Sequence, residues 1–126
     1  MPANVKIEGS EDLMKAIEQM GLEGSKIAND ALRKAGEYLV DEMKRETPVR
    51  TGKLRDSIEH SNIKTKDNVK YIEVGPNKTT NWRAKYLEFG TKKMKANPFM
   101  SRAYEKNKDK VQEIIADKLK EGLGLK

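Results

Sequence analysis

Apolar positions change their period several times along this chain, and each change marks an element. Val5-Lys6-Ile7-Glu8 alternates apolar and polar and suits a short edge strand. Leu13, Ile17 and Met20 then share one helical face. Ser10 is placed to cap that helix, Glu11 and Asp12 fall in its first turn where the helix dipole favours negative charge, and Gly21 ends it. The longest periodic run, about Ser25 to Glu46, carries the stripe Ala28, Leu32, Ala35, Leu39 and Met43, widened by Ile27, Ala31 and Tyr38. Small residues on that face (Ala28, Ala31, Ala35, Gly36) predict the close approach of another element. Pro48 cannot continue a helix and biases Thr47 towards an extended backbone, so the stop is well marked.

Beyond Pro48 the pattern shortens. Asp56 to Lys64 suits a strand only in part, because Ile58, His60 and Ile63 do not alternate cleanly; Lys66-Asp67-Asn68 reads as a turn. Val69 to Val74 is the best strand, with Ile72 and Val74 on one face and Val69 and Tyr71 on the other, a distribution that predicts cover on both sides or cover by a neighbouring subunit. Gly75-Pro76-Asn77 closes it. A short helix over about Trp82 to Phe89 ends at Gly90, and a last helix begins with Asn97 as cap and Pro98 at the first position. That helix buries Met100, Tyr104, Val111, Ile115 and Leu119, joined by Ile114. The fold class is α+β: a small antiparallel sheet packed against the long helix and the C-terminal helix. One domain spans residues 1–126, with 1–9 as an N-terminal strand or arm and 120–126 as a fraying tail.

Composition narrows the picture. With 126 residues, 36% hydrophobic against 37% charged and only 6% aromatic, the core must be thin, and such a chain gains from burying surface against copies of itself. It has no cysteine, so neither a disulfide nor thiolate chemistry is open to it. No apolar run approaches a membrane span, and Met1-Pro2-Ala3-Asn4 has no signal-peptide core; a soluble protein made where it assembles is the expectation. The net charge of +6 is segregated: residues 1–46 hold 7 Lys/Arg against 10 Asp/Glu, residues 47–110 hold 16 against 7, and residues 111–126 balance. A solvated surface accounts for such runs in general. Segregation also suits copies packing acidic face to basic face, or a basic face lining a nucleic-acid path.

Enzyme chemistry finds little to stand on. His60 is the only histidine, and Asp56 and Glu59 beside it form no nucleophile or carboxylate motif; it reads as a half-exposed strand residue. Thr51-Gly52-Lys53-Leu54 fails as a phosphate loop, with Thr47 where the first glycine belongs and Leu54 where Ser or Thr belongs. Glu88, between Leu87 and Phe89, is either a buried acid or, the favoured reading, the ion-pair partner of a neighbouring lysine. No catalytic, metal or cofactor site is expected.

Two punctuated segments carry more. In Thr47–Ile58, Pro48 and Gly52 stiffen a loop from which Arg50, Lys53 and Arg55 project, with Leu54 and Ile58 anchoring its downstream end. In the second, Trp82, Tyr86 and Phe89 share a helical face: Tyr86 and Phe89 read as core, Trp82 as a subunit contact. Lys92-Lys93-Met94-Lys95 is the densest basic cluster, without the interleaved aromatics that stack on bases. Pro48, Thr51, Gly52 and Leu54 match a Pro-x-x-Thr-Gly-x-Leu pattern. Tyr86, Glu88, Phe89, Gly90, Thr91, Pro98 and Phe99 match Tyr-x-Glu-Phe-Gly-Thr followed by Pro-Phe. In this order, from about Asp30 to Ile115, they resemble the neck and tail-completion (head–tail joining) proteins of long-tailed phages, the gene-product-ten type first described for phage HK-ninety-seven. Members often carry a second proline after that Phe, where this chain has Ser101-Arg102-Ala103.

The resemblance implies a non-enzymatic virion-assembly protein of a phage or prophage. It implies a ring, hexameric by expectation, though the isolated chain as a monomer stays open. The partners would be head-connector and tail-tube proteins, with passive contact to DNA in the lumen and none to membrane. Assembly would take place in the host cytoplasm and the product would sit in the virion neck. The contact residues expected are Arg50, Thr51, Gly52, Lys53, Arg55, Trp82, Lys92, Lys93 and Lys95. The rival reading is a small basic nucleic-acid-binding protein.

Overall fold

The computed structural model describes residues 4–9, 11–48, 52–67 and 69–124, with only the backbone at 11–13. Its elements in chain order are β1 (Val5–Glu8), α1 (Glu11–Glu18), α2 (Leu22–Glu46), α3 (Lys53–Asp56), β2 (Ile58–His60), β3 (Lys64–Lys66), β4 (Val69–Pro76), α4 (Asn81–Phe89) and α5 (Phe99–Gly122). The expected α+β class holds: a four-stranded antiparallel sheet lies against α2 and α5.

Strand β4 is the hub. On one edge β1 pairs with it, Val5 opposite Val74 and Glu8 opposite Tyr71. On the other edge β2 covers its end (Ile58 opposite Pro76, His60 opposite Val74) and β3 its beginning (Lys64 opposite Tyr71, Lys66 opposite Val69). Between His60 and Lys64 lie three residues, but only two lie between Val74 and Tyr71, so the strand carries a bulge. Ser61 fills it: its N–H donates to the Glu73 carbonyl and its hydroxyl accepts from the Glu73 N–H, at 2.8 and 3.0 Å. The bulge shifts the alternation by one residue, which is why Ile58, His60 and Ile63 read poorly as one strand although all three face the helices. Position 56 belongs to a helical turn instead.

The inner face of the sheet presents Ile7, Ile58, Ile72 and Val74 to α2, whose Ala28, Ala31, Leu32, Ala35, Leu39 and Met43 are fully buried. Gly36 lets Ile72 and His60 close in; a Cβ there would sit 3.2 Å from the Ile72 Cδ1. The outer face, where Val69 and Tyr71 stand, is half-exposed and polar: Lys64 pairs with Glu73 at 2.8 Å and the Lys6 ammonium lies 4.6 Å over the Tyr71 ring.

Helix α5 runs antiparallel along α2. Arg102 meets Glu46, Asn107 accepts from the Tyr38 hydroxyl at 2.8 Å, and Gly122 abuts Ile27. The helix therefore continues through residues 120–122, and Leu123 still packs on the core. The expected cap at Ser10 falls outside the described residues, as does Asn68 of the β3–β4 turn. In α1 it is Met14 and Ile17 that are buried, while Met20, expected on the same face, is exposed.

Candidate assembly interface

Helix α2 ends as Pro48 requires. Thr47 is extended (φ −74°, ψ 128°), and its hydroxyl donates to the Met43 carbonyl at 2.7 Å. Residues 49–51, and with them Arg50 and Thr51, lie outside the described residues. The chain re-enters at Gly52, left-handed at φ +83°, which starts the single turn α3. Leu54 and Ile58 are buried, anchoring this segment as expected. Ser57 then ties it to the next region. Its carbonyl accepts from the Asn77 N–H at 3.0 Å, and its hydroxyl joins Thr80 to the Leu54 carbonyl. Thr80 immediately precedes α4, so the α3 turn and the start of α4 are held together.

Helix α4 presents the opposite face from the one its aromatic spacing suggests. Ala84 and Glu88 are buried, whereas Trp82, Tyr86 and Phe89 are 55%, 51% and 77% exposed. Tyr86 and Phe89 are thus not core residues. The reason is Glu88. Its Oε1 accepts the backbone N–H groups of Met100 and Ser101 at 2.6 and 3.2 Å, and its Oε2 accepts the Ser101 hydroxyl at 2.8 Å. The acid caps α5 from another helix, satisfying donors that a helix start leaves open. This corrects both the expected lysine partner of Glu88 and the expected cap at Asn97, whose side chain accepts from Arg102 instead. Ser101 supplies two of the three donors.

The loop joining α4 to α5 is equally constrained. Gly90 has φ +73°, and a Cβ there would lie 2.9 Å from both the Ala96 nitrogen and the Met94 oxygen. Thr91 and Met94 exchange backbone hydrogen bonds, the Thr91 hydroxyl accepts from Lys93 and Met94, and the Asn97 N–H donates to the Leu87 carbonyl at 2.6 Å. Lys92, Lys93 and Lys95 are exposed on this tight turn.

The two segments converge. Pro48, Gly52 and Leu54 from the first, with Trp82, Arg83, Tyr86, Leu87 and Met94 from the second, line an open groove of about 700 Å³. Trp82 and Tyr86 meet edge to face (ring centroids 6.0 Å apart), and the Arg83 guanidinium lies 5.1 Å over the Trp82 ring. Of the residues expected to make contacts, Gly52 and Trp82 line the groove, Lys53 and Arg55 lie on the α3 turn beside it, and the three lysines follow Gly90. Tyr86, Leu87, Arg83 and Met94 were not foreseen as contacts; the unbroken helical spacing of Trp82 and Tyr86 was the available signal.

A family model described as "Bacteriophage HK97-gp10, putative tail-component" matches residues 11–90. The chain belongs to this family. No curated protein and no solved structure matches it. It is a structural component of phage tails, and the matched region contains the whole first segment and the groove-lining part of α4.

The electrostatics of this tail component fit a frame. Lys106 and Arg102 hold the Glu46 carboxyl below the usual glutamate range, clamping the end of α2 to the start of α5. Lys64 does the same to Glu73 on the sheet, and its own ammonium is pushed up in return. His60 lies on β2, with Nδ1 2.9 Å from the Ser61 carbonyl, away from the groove. Among the described residues no cluster of His, Asp or Glu could hold a metal ion, and no helix is long and apolar enough to cross a membrane.

Proposed function

We propose that this tail component is a non-catalytic joint of the phage neck. Copies close into a ring, hexameric by expectation, that joins the head connector to the tail tube in the host cytoplasm and remains in the virion. One observation carries the reading. The two segments that define the family likeness meet at a single exposed aromatic groove, held rigid by the Ser57–Thr80 tie, the Glu88 cap and the Thr91 turn. Aromatic side chains with an arginine beside them are the residue types that anchor protein interfaces.

Trp82 serves as the anchor. Gly52 shapes the groove wall, Lys53 and Arg55 lie on the α3 turn beside it, and Arg50 and Thr51 join the same contact when a partner binds. Lys92, Lys93 and Lys95 reach an acidic neighbour or the DNA in the lumen. The turn over residues 75–81 meets an adjoining ring.

Light scattering over a concentration series, with and without duplex DNA, tests the proposal. Discrete assemblies that form without DNA and weaken with rising salt support it, because exposed charges act over only about 8 Å at physiological ionic strength. A monomer at every concentration that shifts duplex DNA in a salt-sensitive way would instead make it a small basic nucleic-acid-binding protein.

A further inference from the structure

The groove stands apart from the rest of the surface in both its lining and its rim. Leu54, Leu87 and Met94 join Trp82 and Tyr86 in the lining, which offers a bulky apolar side chain a place to bury. The rim is basic. Lys53 and Arg55 follow Gly52, Arg83 stands in the lining, and Lys92, Lys93 and Lys95 bracket Met94 along the chain. The only acids in residues 52–56 and 80–95 are Asp56, which pairs with Arg55, and Glu88, which is turned inward to cap α5. Glu46, two residues before Pro48, is engaged by Arg102 and Lys106, and Glu59 lines a separate pocket with Glu37 and Asp41. Among the described residues no carboxylate stands within ion-pair distance of Arg83, Lys92, Lys93 or Lys95.

A second copy of this chain matches that surface poorly. Its net charge is +6, and among the described residues the large exposed apolar side chains elsewhere are Met20 and Leu22. Beside them Lys15 and Lys70 share a pocket with Glu18, so that corner is not an acidic knob. A nucleic-acid strand matches the charge but not the lining. Stacking a base needs an open ring face. The Arg83 guanidinium lies over one face of Trp82 at 5.1 Å, and the Tyr86 ring stands at 81° to it. Phe89, whose ring is open, is not part of the lining.

We infer that the groove takes an acidic segment of a different protein. A bulky apolar side chain of that segment seats against Trp82, Tyr86 and Met94, and carboxylates on either side of it meet Arg83 and the lysines. Buried aromatic anchors hold such a contact, and opposite charge at the rim speeds encounter and rejects basic competitors. The Ser57–Thr80 tie and the Thr91–Met94 hydrogen bonds fix both walls in advance, which lowers the cost of ordering on binding. This occupant rests on the groove's being an assembly surface, as proposed above. The groove then serves the joint to a neighbouring protein, and the contacts between ring copies lie elsewhere.

Trp82 is the only tryptophan, so its fluorescence reports the groove alone. A random peptide display library is selected against the wild-type protein, and the enriched sequences are made as synthetic peptides. They should be rich in Asp and Glu around at least one large aliphatic or aromatic residue, shift the Trp82 emission on titration, and bind less tightly as salt rises. Tyr86→Ser should weaken them about tenfold or more, as loss of an anchor does. Met94→Ser is the second groove variant; Tyr86 and Met94 are 51% and 40% exposed, so thermal melting should stay near wild type for both.

Enriched peptides without an acidic bias, no enrichment at all, or equal binding to both groove variants would overturn the inference. So would an oligothymidylate strand that displaces the selected peptides and shifts the Trp82 emission at lower concentration than they do. Rings formed by wild type alone and abolished by Tyr86→Ser would make the occupant a second copy. A wild type that forms rings but selects no acidic peptide loses this inference and keeps the ring. One that selects such peptides yet stays monomeric at every concentration keeps the inference and loses the ring.

Discussion

Removing the Glu88 carboxylate should uncouple α5 from α4 and cost more than any surface substitution in the chain. The Met100 N–H lies 2.6 Å from Oε1, and Met100 is only 3% exposed, so water cannot take the place of the lost acceptor. An orphaned buried donor costs about 1–3 kcal/mol. Ser101 is exposed, so its N–H and hydroxyl regain water and lose about 0.5 kcal/mol each. Glu88→Ala should therefore destabilise by about 2–4 kcal/mol. Glu88→Gln keeps a carbonyl for Met100 and an amide for the Ser101 oxygen, and should cost about 1 kcal/mol, the charge-assisted part of the bonds. At roughly 4 °C per kcal/mol for a chain of this size, the alanine variant should melt about 8–16 °C below wild type. Urea unfolding followed by circular dichroism, at one protein concentration, measures both variants, with Ser101→Ala as the mild control. A Glu88→Ala protein within about 0.5 kcal/mol of wild type would refute the reasoning, as would identical losses for Ala and Gln.

Other substitutions probe the same frame and the surface around it. Gly90→Ala combines a backbone conformation (φ +73°, ψ 179°) that glycine adopts almost alone with a 2.9 Å clash against the Met94 and Ala96 backbone, so it should cost more than the roughly 1–3 kcal/mol of backbone strain alone; thermal melting decides. At Gly52 a Cβ meets only side-chain atoms at 3.5 Å or beyond, so Gly52→Ala should cost about 1–2 kcal/mol, with Lys53→Ala near neutral, and equal melting temperatures would contradict the strain. Replacing Lys92, Lys93 and Lys95 together with Gln should leave unfolding nearly unchanged while lowering ring formation or tail attachment scored by electron microscopy; normal assembly across a range of salt would mark the cluster as plain solvated surface. Glu46 titrates below the usual glutamate range when folded, so its contribution is complete above the unfolded value of about 4.3 and lost as pH falls through the folded one. The stability gap between wild type and Glu46→Gln should accordingly be constant at neutral pH and close on acidification, and a gap that widens towards low pH would contradict the pairing.

The sequence by itself determined what is local. Pro48 stops α2, Gly90 stops α4 and Pro98 opens α5, because φ restriction, a missing N–H or a missing Cβ act within a residue or two. The stripes of α2 and α5 were legible for the same kind of reason: over 25 and 24 residues the apolar period leaves only one face to bury. On α4 the spacing of Trp82, Tyr86 and Phe89 defines a face but not its direction, since a nine-residue helix can turn either side inward. Tertiary structure made that choice by requiring Glu88 inside, where α5 needs an acceptor for the Met100 N–H, and so put the aromatics outside. The bulge at Ser61 was illegible because one extra residue becomes visible only against the register of β4. The groove is tertiary in the fullest sense. Residues 48–54 and 82–94 lie some thirty positions apart, and what joins them is a pair of hydroxyls, Ser57 and Thr80, whose meeting no pattern along the chain records.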